Sequence, residues 1–87
     1  MPEICRFYGI VVRMYLRGEH PPPHFHDQYG EHRATISIDA LDMLEGGLPA
    51  RARKLVHEWA RLHQDELREN WERAQTHRPI LPIDPVP

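Results

Sequence analysis

The chain has 87 residues, of which 40% are hydrophobic and 28% charged, so one hydrophobic core is expected and a second independent domain is excluded. The formal net charge of −2 at pH 7 excludes a uniformly basic nucleic-acid-binding protein but is compatible with a local basic face. The single cysteine, Cys5, excludes an intramolecular disulfide, and no apolar run approaches the roughly 20 residues that cross a bilayer, so we expect a cytoplasmic protein without a membrane contact.

The first predicted element is a strand in residues 9–16, where β-branched and aromatic residues are frequent. Every second residue of this strand, up to Leu16, is apolar. The residues between them include Arg13 and Tyr15. Gly18 and the three prolines at 21–23 end the strand, because proline cannot donate to a sheet ladder. Arg13 and Tyr15 are therefore expected on the sheet face that points away from the core.

Residues 24–29 and 32–38 form two short strand-like segments, and they predict a hairpin whose turn contains Gly30. A two-residue turn, at Gly30-Glu31 or Tyr29-Gly30, places Phe25 on the same face as the apolar Ile36. A three-residue loop would place Phe25 with charged and polar residues instead, so the shorter turn is predicted. The polar face of the hairpin then carries His24, His26, Gln28, Arg33, Thr35 and Ser37.

Residues 41–45 are interpreted either as a short fourth strand or as an irregular edge closed by two glycines. From residue 50 to about 76 the sequence lacks Gly and Pro, which predicts either one long helix or two helices joined by a bend near Gln64. Trp59 and Trp71 are interpreted as core or interface anchors rather than platforms for nucleobases.

The prediction is a single α+β domain over residues 1–87. A small antiparallel sheet of three to four strands occupies residues 1–48, and one long or two consecutive helices in residues 49–78 pack on it. The proline-rich tail at 79–87 is too apolar for a solvated terminus, so we expect it to dock on the body or on a partner.

Basic side chains stand in the first turns of the predicted helix, at Arg51, Arg53 and Lys54. Positive charge is unfavourable there, because it meets the positive end of the helix dipole. The cluster either captures an anion together with the glycine-rich loop before the helix, or forms a solvated basic patch.

The polar hairpin face collects groups that bind and cleave phosphodiesters. If the first strand pairs antiparallel with the hairpin, Arg13 and Tyr15 join His24, His26 and Arg33 on one surface. Histidine exchanges protons near neutral pH, and arginine neutralises phosphate oxygens bidentately. These five residues are therefore the predicted catalytic or RNA-binding set. The alternative is the solvated outer face that antiparallel sheets commonly have.

His24 and His26 also have the spacing of a half-site for a divalent metal such as zinc, with His20 as the third candidate ligand. The remaining candidates for a third ligand are Glu19, Asp27 and His32. The spacing has low specificity, because the chain has neither a cysteine cluster nor a His-Glu-x-x-His helix.

Several segments together identify a family resemblance. They are Arg6-Phe7-Tyr8-Gly9-Ile10-Val11-Val12-Arg13-Met14-Tyr15, Pro22-Pro23-His24-Phe25-His26, Tyr29-Gly30-Glu31, Leu44-Glu45-Gly46 with Leu48-Pro49, and Glu58-Trp59 followed by Leu62-His63-Gln64 and Asn70-Trp71. Over almost its whole length the chain resembles the bacterial domain of unknown function 4160 family. His24 and His26 lie inside the motif, whereas His20 follows a turn that is shorter in other members.

The resemblance implies a small bacterial protein encoded beside, or fused to, a second small domain, in an arrangement similar to toxin–antitoxin operons. A weaker likeness, in layout alone, is to small mRNA-cleaving toxins with a catalytic histidine on a three-stranded sheet. The leading hypothesis is a toxin–antitoxin-like component that binds or cleaves RNA. The alternatives are a non-enzymatic module that docks the neighbouring protein through its tail and helix, and a metal-binding module. A homodimer is compatible with each, and whether the protein is an enzyme stays open.

Overall fold

The sheet has five strands. A computed structural model describes residues 3–15 and 20–87, so Leu16, Gly18 and Glu19, which entered the predictions above, lie outside the described residues. The strands are β1 (Glu3–Phe7), β2 (Ile10–Arg13), β3 (His24–Tyr29), β4 (His32–Ser37) and β5 (Met43–Gly46), and the helices are α1 (Ala50–Leu62) and α2 (Gln64–Gln75). Each strand pairs antiparallel with the next one along the chain, in the order β1-β2-β3-β4-β5.

The α+β class is confirmed, but the predicted count of three to four strands is wrong. The missed strand is β1, which reverses into β2 through Tyr8 and Gly9, both at positive φ (48° and 81°). Two consecutive residues at positive φ are typical of a tight hairpin turn. A register shift between Glu3 and Cys5 interrupts the alternation of β1, so its apolar residues do not show the two-residue period of a regular strand.

The predicted hairpin register is confirmed. Tyr29 pairs with His32 around a turn at Gly30-Glu31, and Phe25 pairs with Ile36. Both of these apolar residues are buried on the face that packs against α1, which we call the core face. The Trp59 ring of α1 is fully buried there, with its centroid 5.9 Å from that of Phe25. Burial of these large side chains supplies the main stabilisation of the fold.

The helical region consists of two helices, as the second predicted alternative has it, and His63 separates them. Leu62 ends α1 with 71% of its surface exposed, whereas Leu67 of α2 is fully buried. A straight helix would turn only one of its stripes toward the core. The break at His63 allows α1 and α2 each to bury their own apolar residues.

The tail docks on the body of the protein. The Ile83 N–H donates to the carbonyl oxygen of Ile4 at 2.8 Å, and the Trp59 indole N–H donates to the carbonyl oxygen of Asp84 at 2.8 Å. Asn70 of α2 both donates to and accepts from the backbone of Leu81, each at 2.8 Å. These hydrogen bonds therefore hold the tail against the protein's own sheet and helices.

Cys5 is buried, and burial raises the pKa of its thiol, which lowers its reactivity. In residues 3–15 and 20–87, no helix combines the length and the apolar character needed to cross a membrane.

Candidate functional site

A row of polar side chains crosses the sheet on the face opposite to α1. In this row Arg13 pairs with His26, His26 with Thr35, and Thr35 with Glu45, so four neighbouring strands contribute one residue each. Side chains of directly paired residues share a sheet face. We call this surface the outer face, and its members are Arg13, Tyr15, His26, Gln28, Arg33, Thr35 and Glu45.

The outer face is concave. It encloses a hollow of about 590 Å³, and all seven members line it. The other lining residues, Asp27, Ala34 and Gly46, have the parity of the core face and therefore contribute their backbone. The volume is within the range of about 300–1,000 Å³ that is typical of sites for small ligands.

His26 stands in the middle of this hollow and is half-buried. Its ring contacts Tyr15 edge-on, with the ring centroids 4.6 Å apart. Its Nδ1 lies 3.3 Å from the hydroxyl oxygen of Thr35. The His26 imidazole is thus held between Thr35 of β4 and Tyr15, which follows β2, and these contacts limit its orientation.

His24 shares the outer-face parity but not the exposure of His26. Only 8% of its surface is exposed, and its Nδ1 donates to the carbonyl oxygen of Pro22 at 2.8 Å. Its ring lies between Trp71 of α2 and His26, with centroid distances of 5.0 and 5.1 Å. His24 is absent from the residues that line the hollow, so it lies beside the hollow and supports the His26 ring.

Two guanidinium groups supply the positive charge of the hollow. Arg13 Nη1 donates to Oε1 of Gln28 at 2.7 Å, which orients the guanidinium along the sheet. Arg33 is exposed and pairs with Gln28 across the hairpin. Within the described part of the chain, neither arginine forms a salt bridge with a carboxylate. Arg13 faces Glu3 of β1 across the sheet, whose pKa is lowered by the hydrogen bond from Arg6 and also by the charge of Arg13, so Arg33 is the less compensated cation for an anionic ligand.

Asp27 lies between His26 and Gln28 in sequence but has the parity of the core face. It pairs with Val12 and Ala34, and only 2% of its surface is exposed. Neither carboxylate oxygen has a hydrogen-bond partner among the residues that the structure describes. Burial raises the pKa of this carboxyl well above 3.8. As a core-facing group, Asp27 is poorly placed to join the two histidines around a metal.

Four of the five predicted catalytic residues come together in the hollow, namely Arg13, Tyr15, His26 and Arg33. His20, the third predicted metal ligand, is exposed. Among residues 3–15 and 20–87, no group of three or more His, Cys, Asp or Glu side chains is arranged to hold a metal ion.

The sequence interpretation did not include Glu45 in the site. The register shift between Thr35 and Ile36 pairs Ile36 with Met43 and Thr35 with Glu45, so Leu44 is the extra residue of β5. Such a bulge changes which residues share a face. In a regular strand over residues 43–46, Glu45 would share the face of Met43, so only the bulge brings this carboxylate to the outer face.

A family model described as "Domain of unknown function (DUF4160)" matches residues 9–72. Searches of curated proteins and of solved structures each gave no match. Every residue that lines the hollow lies inside the matched segment.

Proposed function

The chain belongs to the DUF4160 family of domains of unknown function, and from that premise we propose that its outer face binds and cleaves RNA, as a toxin–antitoxin-like component. One observation carries the proposal: an imidazole, two guanidinium groups, a phenol and a carboxylate line a single hollow. This set of groups fits a phosphodiester, because arginine binds phosphate oxygens bidentately and histidine and carboxylate exchange protons.

The proposed reaction is an internal transesterification. The 2′-hydroxyl attacks the adjacent phosphorus, the bond from phosphorus to the 5′-oxygen breaks, and a 2′,3′-cyclic phosphate and a free 5′-hydroxyl result. One proton leaves the 2′-hydroxyl and another is given to the 5′-oxygen. Glu45 accepts the first and protonated His26 donates the second, while Arg13 and Arg33 stabilise the negative charge on the phosphorane.

The spacing of Glu45 and His26 suits two separate proton transfers. One strand, with Thr35, lies between them, which corresponds to about 10 Å between their backbones. Side chains that lean toward each other from this distance leave room for a phosphate group between them. Tyr15 limits the movement of the His26 ring on the opposite side.

A cleavage assay with a labelled single-stranded RNA at neutral pH tests this proposal. We expect His26→Ala to lower the rate at least about 100-fold, as the loss of a general acid does. The matched control is His32→Ala, which removes an exposed histidine of β4 outside the hollow and should leave the rate unchanged. Intact RNA with the wild-type protein would overturn the cleavage step, and absence of RNA binding would overturn the proposal as a whole.

Induced expression tests the biological side of the same proposal. We expect growth arrest with the wild-type protein and normal growth with His26→Ala at equal protein levels. Normal growth in both cases would contradict a toxin role.

We propose, as a second candidate function, that His24 and His26 bind zinc. The 5.1 Å separation of their ring centroids supports this proposal. Elemental analysis of protein purified without a histidine tag measures it directly. A stoichiometric divalent metal that is lost in His26→Ala would support a metal site, and metal-free, fully active protein would rule it out.

A further inference from the structure

A second concave surface lies on the core-face side of the sheet, between its β4–β5 end and α1. This groove has a volume of about 590 Å³, and we call it the β5 groove. Ile36, Leu41 and Met43 form its apolar part. The α1 side contributes Ala50, Arg53, Lys54, His57, Glu58 and Arg61.

The α1 side of the β5 groove is positively charged. The whole helix has four Lys and Arg residues but a single carboxylate, Glu58, in a chain whose net charge is −2. Among the described residues, Arg53, Lys54 and Arg61 form no salt bridge, whereas Arg68 of α2 pairs with two aspartates. Glu58 is the one carboxylate among the described residues that line the groove, so the groove keeps a net positive charge.

The β5 groove also adjoins a free sheet edge. Strand β5 ends the sheet order and pairs only with β4 within the described part of the chain. It is short, and Leu44 in it is 46% exposed. An exposed edge offers backbone donors and acceptors to an additional extended segment, which is a common mode of peptide recognition.

We propose that the β5 groove binds an extended segment of a partner protein, which adds to β5 as a sixth strand and combines apolar with acidic side chains on its inward face. The apolar side chains cover Leu41 and Met43, and the acidic ones meet Arg53, Lys54 and Arg61. Backbone hydrogen bonds to the edge give affinity, and the charges select the partner.

Two other occupants fit this surface less well. A second copy joined through β5 would bring two positively charged α1 helices close together, and that contact is repulsive. RNA complements the charge but has no aliphatic side chains for Leu41 and Met43. The β5 groove and the outer-face hollow share no lining residue, so this proposal stands or falls independently of RNA cleavage.

Fluorescence anisotropy with the full chain and a labelled nine-residue peptide tests the proposal. The peptide alternates Leu and Glu at its even positions and has Thr at its odd positions. We expect saturable binding that weakens at least about tenfold in the double variant Lys54→Glu, Arg61→Glu. Arg51→Glu is the matched control, because Arg51 is exposed on the same helix but lines a different cavity.

Changes in the peptide test the same contacts without altering the protein. Lysine in place of glutamate, and N-methylation of alternate backbone amides, should each weaken binding at least about tenfold. Amide NMR shifts should concentrate in Met43–Gly46 and α1.

Equal binding of the lysine peptide, an undiminished affinity in the double variant, or shifts confined to the outer face would each overturn the proposal. Tighter binding of an oligouridylate at the same residues would assign the groove to RNA instead. A dimer through β5, detected by sedimentation, would assign it to a second copy.

Discussion

At the scale of single residues, the two-residue period of β3 places one charged group where a core side chain belongs. His26 and Gln28 lie on the outer face, and Asp27 between them lies under the sheet at 2% exposure. A buried carboxylate without a hydrogen-bond partner is costly, and its neutral form is therefore favoured.

The stability of the protein should depend on pH through Asp27. Because burial raises the pKa of this carboxyl above 3.8, the folded state binds more protons than the unfolded state between the two pKa values. The contribution of Asp27 to the free energy of unfolding should be fully present below about pH 4 and be lost as the pH rises through the folded-state pKa. Asp27→Asn should remove this part of the pH dependence in urea titrations. Asp42→Asn, at an exposed position, is the control and should leave it unchanged.

His24 and His32 should differ in their importance for folding. His24 is buried against Trp71 and donates to Pro22, so His24→Ala should lower the free energy of unfolding by about 1–3 kcal/mol. His32 is exposed, and His32→Ala should change it by less than about 0.5 kcal/mol. Chemical denaturation measures both. Equal effects would show that His24 is not a supporting residue.

At the scale of elements, the tail connects the sheet edge to both helices. Ile83 bonds to β1, Asp84 to α1 through Trp59, and Leu81 to α2 through Asn70. Its carbonyl and N–H groups thus find partners that a proline-rich segment cannot obtain from a regular ladder. The tail is occupied by these contacts, and we therefore propose the β5 groove, not the tail, as the surface that docks a partner.

Asn70→Ala tests the contribution of the tail. Asn70 is 1% exposed, and its loss leaves two backbone groups of Leu81 without a partner. We expect a destabilisation of about 1–3 kcal/mol and faster hydrogen exchange in residues 80–84. Gln75→Ala, at an exposed position of the same helix, is the control. Unchanged exchange in the tail would contradict the anchoring role.

At the scale of the whole molecule, the protein has two separate positive surfaces although its net charge is −2. One is the outer-face pair Arg13 and Arg33, and the other is the α1 side of the β5 groove. They lie on different sides of the sheet, so RNA and a partner protein need not compete for the same charges. Glu45 in the hollow and Glu58 in the groove offset part of this charge, and other acidic residues lie in the first turn of α2, where they interact favourably with the helix dipole.

Salt dependence distinguishes these two surfaces in RNA binding. If RNA binds the outer face through Arg13 and Arg33, the logarithm of the binding constant should fall with the logarithm of salt concentration with a slope of about −1.4. Arg33→Gln should reduce the magnitude of this slope by about 0.7, the effect of one phosphate contact. Arg53→Gln is the matched control in the β5 groove. A change in slope with Arg53→Gln instead would locate RNA on α1.

Much of the fold and part of the site follow from local patterns. The parity of residues 24–38 and the glycine turn specified the hairpin, the buried Phe25, and the common face of His26 and Arg33. Helix propensity specified the helical region that contains α1 and α2 but left open whether it forms one helix or two. These features were predictable because they depend on residues that are near each other in the chain.

The sequence by itself determined the α+β class, the family, and the common polar face of His26 and Arg33, whereas Arg13 joins that face through the pairing of β2 with β3. Only the tertiary structure decided that His24 is buried against Trp71 beside the hollow and that Glu45 lies on the outer face. Packing of α2 against the start of β3 buries His24, and the bulge at the sheet edge turns Glu45 toward the outer face. Both depend on contacts between segments distant in the chain, and no pattern of neighbouring residues encodes such contacts.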